Sequence, residues 1–521
     1  MAAFLPLTFL SPVLLFLVAA AATMRPGRRP GAYPRLCEAV AMTALLLGLG
    51  GLAQYLVSGP SALVLFGGMF ELSLHSGPVS VALTLLVSFI GWIVVRYSRT
   101  YLDGETREGT FHGLLLATLG AVLLVIQSGS LLMLAAGTIG VGLALKPLLL
   151  FYADRPQARR AATKFALVWH AGDIALLAAA ILLTASLGTG NLSAIAGGIG
   201  AQEAGFPVSL AIALLVLAAV LKSAAFPLHG WLTEVMEAPT PVSALLHAGV
   251  VNSGGVVLLL TADLVQSSAG AMGALVMIGG FTALFGAAVM LTQSAVKTAL
   301  AWSTVSQMGF LLLQCGLGLW PLALLHIIAH SLYKAHAFLS SGGAVAAVAS
   351  LRRPGPVAVP GLSVVLRSFA LALLLYGGIA ALFTLVAGPK SPQALALGAI
   401  LIFGVAYLVA QGLADRAPAD LTRRTVLAAI GAAIAYFSFQ AGANVLWGSV
   451  LPAAPAPGPL EWGLIVLAIL SFGLVAFAQA LFPLWAHHPA TAGLRVHLAN
   501  GLYLNALLDR AIGGFRTAGT N

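Results

Sequence analysis

The chain has very little charge. Only 8% of its 521 residues are Asp, Glu, Lys or Arg, against about 25% in a typical soluble domain, while 60% are hydrophobic. No soluble fold hides that much apolar surface, and a mean hydropathy of +1.01 points to a polytopic membrane protein. Cysteine is almost absent. Cys37 and Cys315 stand far apart without Cys-x-x-Cys spacing, which excludes a disulfide scaffold and a cysteine-based zinc site. There is no Walker loop, nucleophile elbow or His-Glu-x-x-His, so nothing suggests covalent chemistry or a metal on this chain. The net charge of +10 is spread over short loops rather than gathered in one patch, and does not mark a nucleic-acid binder.

What is present is a succession of apolar runs about twenty residues long, the length that crosses a ~30 Å hydrocarbon core. Fifteen are expected: about 3–23, 37–57, 77–97, 111–128, 130–152, 164–187, 207–226, 240–262, 271–293, 296–319, 320–346, 361–387, 393–413, 422–449 and 460–485. The fold class is therefore all-α, with residues 61–75 too short and broken to span and read as a strand or hairpin at the outer face. No Lys or Arg precedes the first run, while Met24-Arg-Pro-Gly-Arg-Arg follows it, which suits a retained first span with its N-terminus outside.

Basic residues test the count. Loops after odd-numbered spans hold Arg25, Arg28, Arg29 and Arg35, Arg99 and Arg107, Arg155, Arg159, Arg160 and Lys164, Arg352 and Arg353, and Arg416, Arg423 and Arg424. Loops after even-numbered spans hold little beyond Lys390. The positive-inside rule then makes the odd loops and the C-terminus cytoplasmic. The chain divides into N-terminal spans (1–100), a core (101–350), C-terminal spans (351–487) and a cytoplasmic amphipathic tail (488–521), which is either an interfacial helix or a docking segment.

Removing the loop charges leaves few ionisable groups at membrane depth, where each costs at least ~2.5–3.5 kcal/mol on insertion scales. Lys222 is followed five residues later by Pro227, and Ala238-Pro-Thr-Pro leads into His247. The proline removes a helical hydrogen bond, so a discontinuous helix is expected near 207–240. Irregular backbone at that depth survives only inside protein or along a wet cavity. His326, His330 and Lys334 recur every fourth residue and drift only about 80° around a helix, forming one stripe. Asp173 is the nearest candidate carboxylate for Lys222. Lys297 either joins this set or snorkels from its span end, as does Lys146; His170 and His336 are read equally as singly satisfied histidines. Lysine, break, histidine and stripe together read as a proton or ion path.

The run Lys222-Ser-Ala-Ala-Phe-Pro-Leu-His-Gly-Trp-Leu-Thr-Glu-Val-Met-Glu-Ala-Pro-Thr-Pro-Val-Ser-Ala-Leu-Leu-His247 resembles the signature of the antiporter-like subunits of respiratory complex I and of multisubunit sodium/proton antiporters. Lys297-Thr-Ala-Leu-Ala-Trp-Ser, His326-Ile-Ile-Ala-His330-Ser-Leu-Tyr-Lys334 and His170-Ala-Gly-Asp173 extend the likeness over about residues 60–345. The resemblance implies an antiporter-like fold with Lys222, His247, Lys297, His330 and Lys334 on a central proton path. Two departures stand out. Gly137-Thr-Ile139-Gly-Val-Gly carries isoleucine where the family has a glutamate, and no second lysine-bearing broken helix follows residue 350.

Leu246-His-Ala-Gly-Val-Val-Asn-Ser-Gly-Gly255, Ala153-Asp-Arg-Pro-Gln-Ala-Arg-Arg and the ending Val496-His-Leu-Ala-Asn-Gly-Leu-Tyr-Leu-Asn are similar to a third branch, the membrane subunit of bacterial DAB inorganic-carbon accumulation complexes. That resemblance implies a bacterial inner-membrane location and a soluble carbonic-anhydrase-like partner that holds zinc and hydrates CO2. This chain would then supply coupling to H⁺ or Na⁺ and carry no cofactor. An antiporter or complex I subunit, and a non-conducting membrane anchor for a partner, are the alternatives.

Overall fold

The computed structural model describes residues 6–198, 205–343, 361–412, 419–481, 485 and 488–511. Arg352, Arg353, Arg416, His487 and Arg516 lie outside the description of side chains. Among the described residues the chain is all-α apart from one hairpin. In a hydrocarbon environment each backbone N–H and C=O needs an internal partner, and a helix supplies this within one segment.

The helices are α1 (Leu10–Ala20, prolonged by 3₁₀ turns to Leu7–Met24), α2 (Tyr33–Ser58), α3 (Pro78–Tyr101), α4 (Glu108–Ile126), α5 (Leu131–Leu149) and α6 (Pro156–Leu187). After the short α7 (Leu192–Gly198) come α8 (Phe206–Lys222), α9 (Gly230–Thr233), α10 (Thr240–Ala248), α11 (Ser253–Leu260) and α12 (Ala262–Gln266). Then follow α13 (Ala269–Met290), α14 (Val296–Gly316), α15 (Trp320–Ser340), α16 (Leu362–Ala387), α17 (Pro392–Gly412), α18 (Ala419–Trp447) and α19 (Pro459–Ala480). The tail forms α20 (Ala492–Ala499) and α21 (Leu504–Ala511). The expected hairpin is β1 (Ser61–Phe66) paired antiparallel with β2 (Leu72–Ser76).

Among the described residues, twelve helices are long and apolar enough to cross a bilayer. The three remaining expected spans are present as helices but fall short for identifiable reasons. Phe206–Lys222 is stopped by the break and Pro392–Gly404 is described over a short length. Val296–Gly316 has the length, and its polar residues Lys297, Ser303, Thr304, Gln307 and Gln314 lower its hydropathy.

Successive spans alternate in direction. Loops at one end are joined through Gly27–Gly109, Arg155–Glu237 and Gln293–Ala499 contacts. At the other end the hairpin meets the α4–α5 turn through His75 N to Gln127 O, and Gln266 and Gln393 reach the 453–455 loop. We call these the tail end and the hairpin end; the described arginine-bearing loops between residues 25 and 160 fall at the tail end. A continuous core runs through α1–α15, whereas α16–α19 pack mainly around separate, smaller clusters. Close helix approach is clearest between α13 and α14: a Cβ on Gly309 would lie 2.4 Å from Ala283 N, and one on Gly279 2.5 Å from Leu313 N. Small residues serve such contacts in membranes, where packing rather than water expulsion holds helices together.

Two interruptions shape the centre. Helix α8 stops at Lys222, and the chain resumes as helix only at Gly230. Within the gap Ala224 adopts φ +48°, a left-handed conformation that costs a non-glycine residue about 1–3 kcal/mol and persists only where the surroundings hold it. The second interruption was not foreseen: the span 240–262 divides at Gly249–Asn252 into α10 and α11.

Candidate functional site: a buried polar line

Lys222 is the last residue of α8, fully buried, so its ammonium lies at the negative end of a helix dipole. Its Nζ is 2.5 Å from Asp173 Oδ1 on α6, 3.5 Å from Trp169 O and 4.1 Å above the Trp169 ring. Asp173 is only 4% exposed, and its other oxygen accepts from His170 Nδ1 at 2.9 Å. A buried ammonium thus has a carboxylate, a carbonyl and an aromatic face. Such pairs are costly to form, yet removing one partner costs about 3–5 kcal/mol because the other charge is stranded. The neighbouring α5 offers no carboxylate at Ile139; instead Trp169 Nε1 donates to Thr138 O at 3.0 Å.

Of the remaining expected residues, His247, His326, His330 and Lys334 gather where α10, α14 and α15 meet. Facing side chains of α14 and α15 form three polar pairs: Gln314 Oε1 to His326 Nδ1 at 2.7 Å, Gln307 Oε1 to His330 Nδ1 at 2.6 Å, and Lys334 Nζ to Ser303 Oγ at 2.8 Å. His330 Nε2 also reaches His247 O at 3.0 Å. Thr304 donates to Leu300 O, so it accepts from His247 Nδ1 at 3.1 Å; Lys334 donates to the same carbonyl at 3.1 Å. Gln307 Nε2 lies 3.3 Å from Ser303 Oγ. The result is a closed circuit linking His247, His330, Gln307, Ser303, Lys334, Leu300 and Thr304. His247 also stacks on Phe338 at 4.3 Å. Lys297 lies apart from this circuit, donating to Thr240 Oγ1 at 3.0 Å near Tyr101.

No hydrogen bond joins the Lys222 pair to the circuit among the described residues. The break itself contributes Ser223 Oγ and both ring nitrogens of His229, all buried without partners. His229 is caged by Phe226, Phe285 and Trp302, with ring centroids 4.8 Å from Trp302.

A charged cluster at the tail end went unrecognised in the sequence. Lys164 was assigned to a loop, but α6 begins at Pro156, two turns earlier, and Lys164 is fully buried. Its Nζ lies 2.7 Å from Glu234 Oε1 and 2.6 Å from Asp509 Oδ1, with Arg160 within 4.0 Å of both carboxylates. The tail therefore docks on the broken helix. Asn505 donates to Thr233 Oγ1 at 3.3 Å, and a Cβ on Gly501 would sit 3.2 Å from Trp302. Phe165, Trp169 and Trp231 stack edge-on or tilted at 5.3–6.1 Å, next to Lys164 on one side and Lys222 on the other. The available signal was Asp509 on the more amphipathic of the two described tail helices.

Fifteen helical positions around a broken helix with a buried lysine define a polytopic subunit of the antiporter-like class. The family model for the transmembrane part of NADH:quinone oxidoreductase and Mrp antiporter subunits matches residues 128–410, and the chain belongs to that family. It is 39% identical over 479 residues, 90% of this chain and 85% of the relative, to a probable inorganic carbon transporter subunit, DabB2, of Halothiobacillus neapolitanus. It is 30% identical to NADH-quinone oxidoreductase subunit L of Mycobacterium tuberculosis across 98% of this chain and 82% of that one. In structure it resembles a chain of the Mrp complex from Dietzia, with a TM-score of 0.63, 23% identity, and coverage of 98% of this chain and 60% of that one.

Proposed function

We propose that this chain is the proton-conducting membrane subunit of an energy-coupled inorganic-carbon uptake complex. The observation that carries the reading is its likeness, over nine-tenths of its length, to an inorganic carbon transporter subunit, combined with a buried lysine–aspartate pair and a buried circuit of ionisable groups. These groups are mostly nitrogen bases, which hand on protons; a hard metal cation needs a cage of oxygens instead.

In this reading Lys222 holds a proton while Asp173 faces it and releases it when the pair separates. Asp173 takes the part that the absent carboxylate at Ile139 would have played. Lys297, His247, His326, His330 and Lys334 then carry charge along α14 and α15, with Thr304, Ser303 and Gln307 as relays. The arginine-rich tail end faces the cytoplasm of a bacterial inner membrane, and the N-terminus lies outside. A soluble, zinc-containing, carbonic-anhydrase-like partner performs CO2 hydration, and the zinc belongs to that partner.

The test is purification of the chain with whatever accompanies it. One large zinc-containing soluble partner, together with growth that depends on elevated CO2 when the gene is deleted, is the expected result. A set of several membrane subunits and normal growth in air would overturn it in favour of an antiporter or respiratory subunit. Retained uptake in an assembled Lys222→Ala complex would instead make the chain a passive anchor.

A further inference from the structure

The conducting circuit needs an outlet, and α16–α19 bring no lysine or histidine that would build one in the second half of the chain. We infer that protons leave toward the hairpin end through the break between α10 and α11, via a one-water cavity at Asn252 and a vestibule bearing His75 and Asp263. This inference rests on the proton-conducting reading above.

The route starts beside the circuit. Ser331 follows His330 on α15, and its hydroxyl accepts from Asn252 Nδ2 at 3.0 Å. Asn252 is 3% exposed; its amide also donates to Ala248 O at 3.0 Å, a carbonyl just before the break. Its Oδ1 is buried without a partner. An unpaired buried amide oxygen costs about 1–3 kcal/mol unless something donates to it. Beside it lies a cavity of about 20 Å³ lined by Gly249, Asn252, Ser253, Ser331 and apolar side chains of α3 and α4. About 10–15 Å³ suffices for one water, so a single water fits, with Asn252 and the serine hydroxyls as partners.

Ile126, at the end of α4, lines this cavity and also a second one of about 220 Å³. The larger space opens between the hairpin, α7 and the α11–α12 turn, and His75, Ser80, Ser128 and Asp263 contribute polar groups to it. Asp263 is exposed and His75 half-buried, so the vestibule meets solvent at the end of the molecule opposite the tail. The apolar Ile126 side chain, 2% exposed, thus separates a one-water site from an aqueous mouth. Water at Asn252 passes a proton outward when the side chain swings aside, and the isoleucine blocks leakage otherwise.

Two measurements on the purified complex test this. In proteoliposomes with a pH-sensitive dye, Ile126→Trp fills the boundary and is expected to cut proton flux at least tenfold, while Ile126→Ser removes the barrier and is expected to raise passive leak. Asn252→Leu, similar in volume, is expected to lose flux as well and serves if the tryptophan variant fails to assemble. In cells, Ile126→Cys should react with a membrane-impermeant thiol reagent from the hairpin side only; the native Cys37 and Cys315 are fully buried and give the background. Equal flux in native, Ile126→Trp and Asn252→Leu complexes overturns the outlet, as does labelling from the tail side. A native complex that conducts nothing refutes the proposed function itself, which distinguishes the two failures.

Discussion

Replacing Asp173 with asparagine removes one charge and almost no volume. Lys222 is fully buried, and once the negative charge at 2.5 Å is gone it keeps only neutral partners: the new amide oxygen, the Trp169 carbonyl at 3.5 Å and the ring at 4.1 Å. Stranding one member of a buried pair costs about 3–5 kcal/mol; the cation–π contact is the same before and after, and the amide oxygen that still accepts from the ammonium returns about 1–2 kcal/mol. Asp173→Asn should therefore lower stability by roughly 2–3 kcal/mol, less if Lys222 gives up its proton. His170, bonded to the other carboxylate oxygen at 2.9 Å, moves the figure little because it is more than a third exposed. Lys222→Met leaves Asp173 stranded by the same logic, whereas the Asp173→Asn/Lys222→Met double variant strands neither. The assay is a double-mutant cycle on thermal unfolding of the purified complex, with proton flux in vesicles alongside. The double variant should regain most of the stability lost by either single one, with a coupling energy of about 2–3 kcal/mol, and yet conduct nothing. Additive single effects, or flux in the double variant, would refute the pairing.

Asp509→Asn should loosen the tail, measured as faster protease cleavage near residue 500, because Lys164 then keeps Glu234 as its one carboxylate and loses the charge that ties it to the tail. Gly230→Ala should do the same with every charge in place, since the new Cβ would lie 1.9 Å from Asn505 Oδ1; an unchanged cleavage rate would contradict the docking. Gly309→Val would put a Cβ 2.4 Å from Ala283 N and force α13 and α14 apart, and should prevent assembly or lower the unfolding temperature by many degrees. Gln307→Leu removes the partner of His330 Nδ1 and a donor to Ser303, and should cut flux at least tenfold while the complex stays assembled.

Much of the fold was legible because hydrocarbon thickness sets helix length and charge stays in loops. Lys222 and Asp173 were conspicuous for the same reason: ionisable residues are rare inside apolar runs. Lys164 was misread because α6 runs two turns beyond its apolar stretch, so a charge that looks like loop is enclosed by Glu234 and Asp509. The pairing of Ser303, Gln307 and Gln314 with the α15 stripe depends on how two helices face each other. Their spacing of four and then seven residues places them on one face of α14, a signal present in the sequence but shared with many ordinary helices. The Gly249–Asn252 break carries no proline, and the docking of residues 500–511 on α9 spans more than 250 residues of sequence, beyond any local pattern.

In the proposed function, the buried Lys222–Asp173 pair couples proton movement to carbon uptake. Its most direct test is accumulation of labelled inorganic carbon in vesicles containing the purified complex under an imposed proton gradient. The native complex should accumulate carbon, and assembled Lys222→Ala should fall to the level of protein-free vesicles. Accumulation by the variant equal to the native complex would contradict the account.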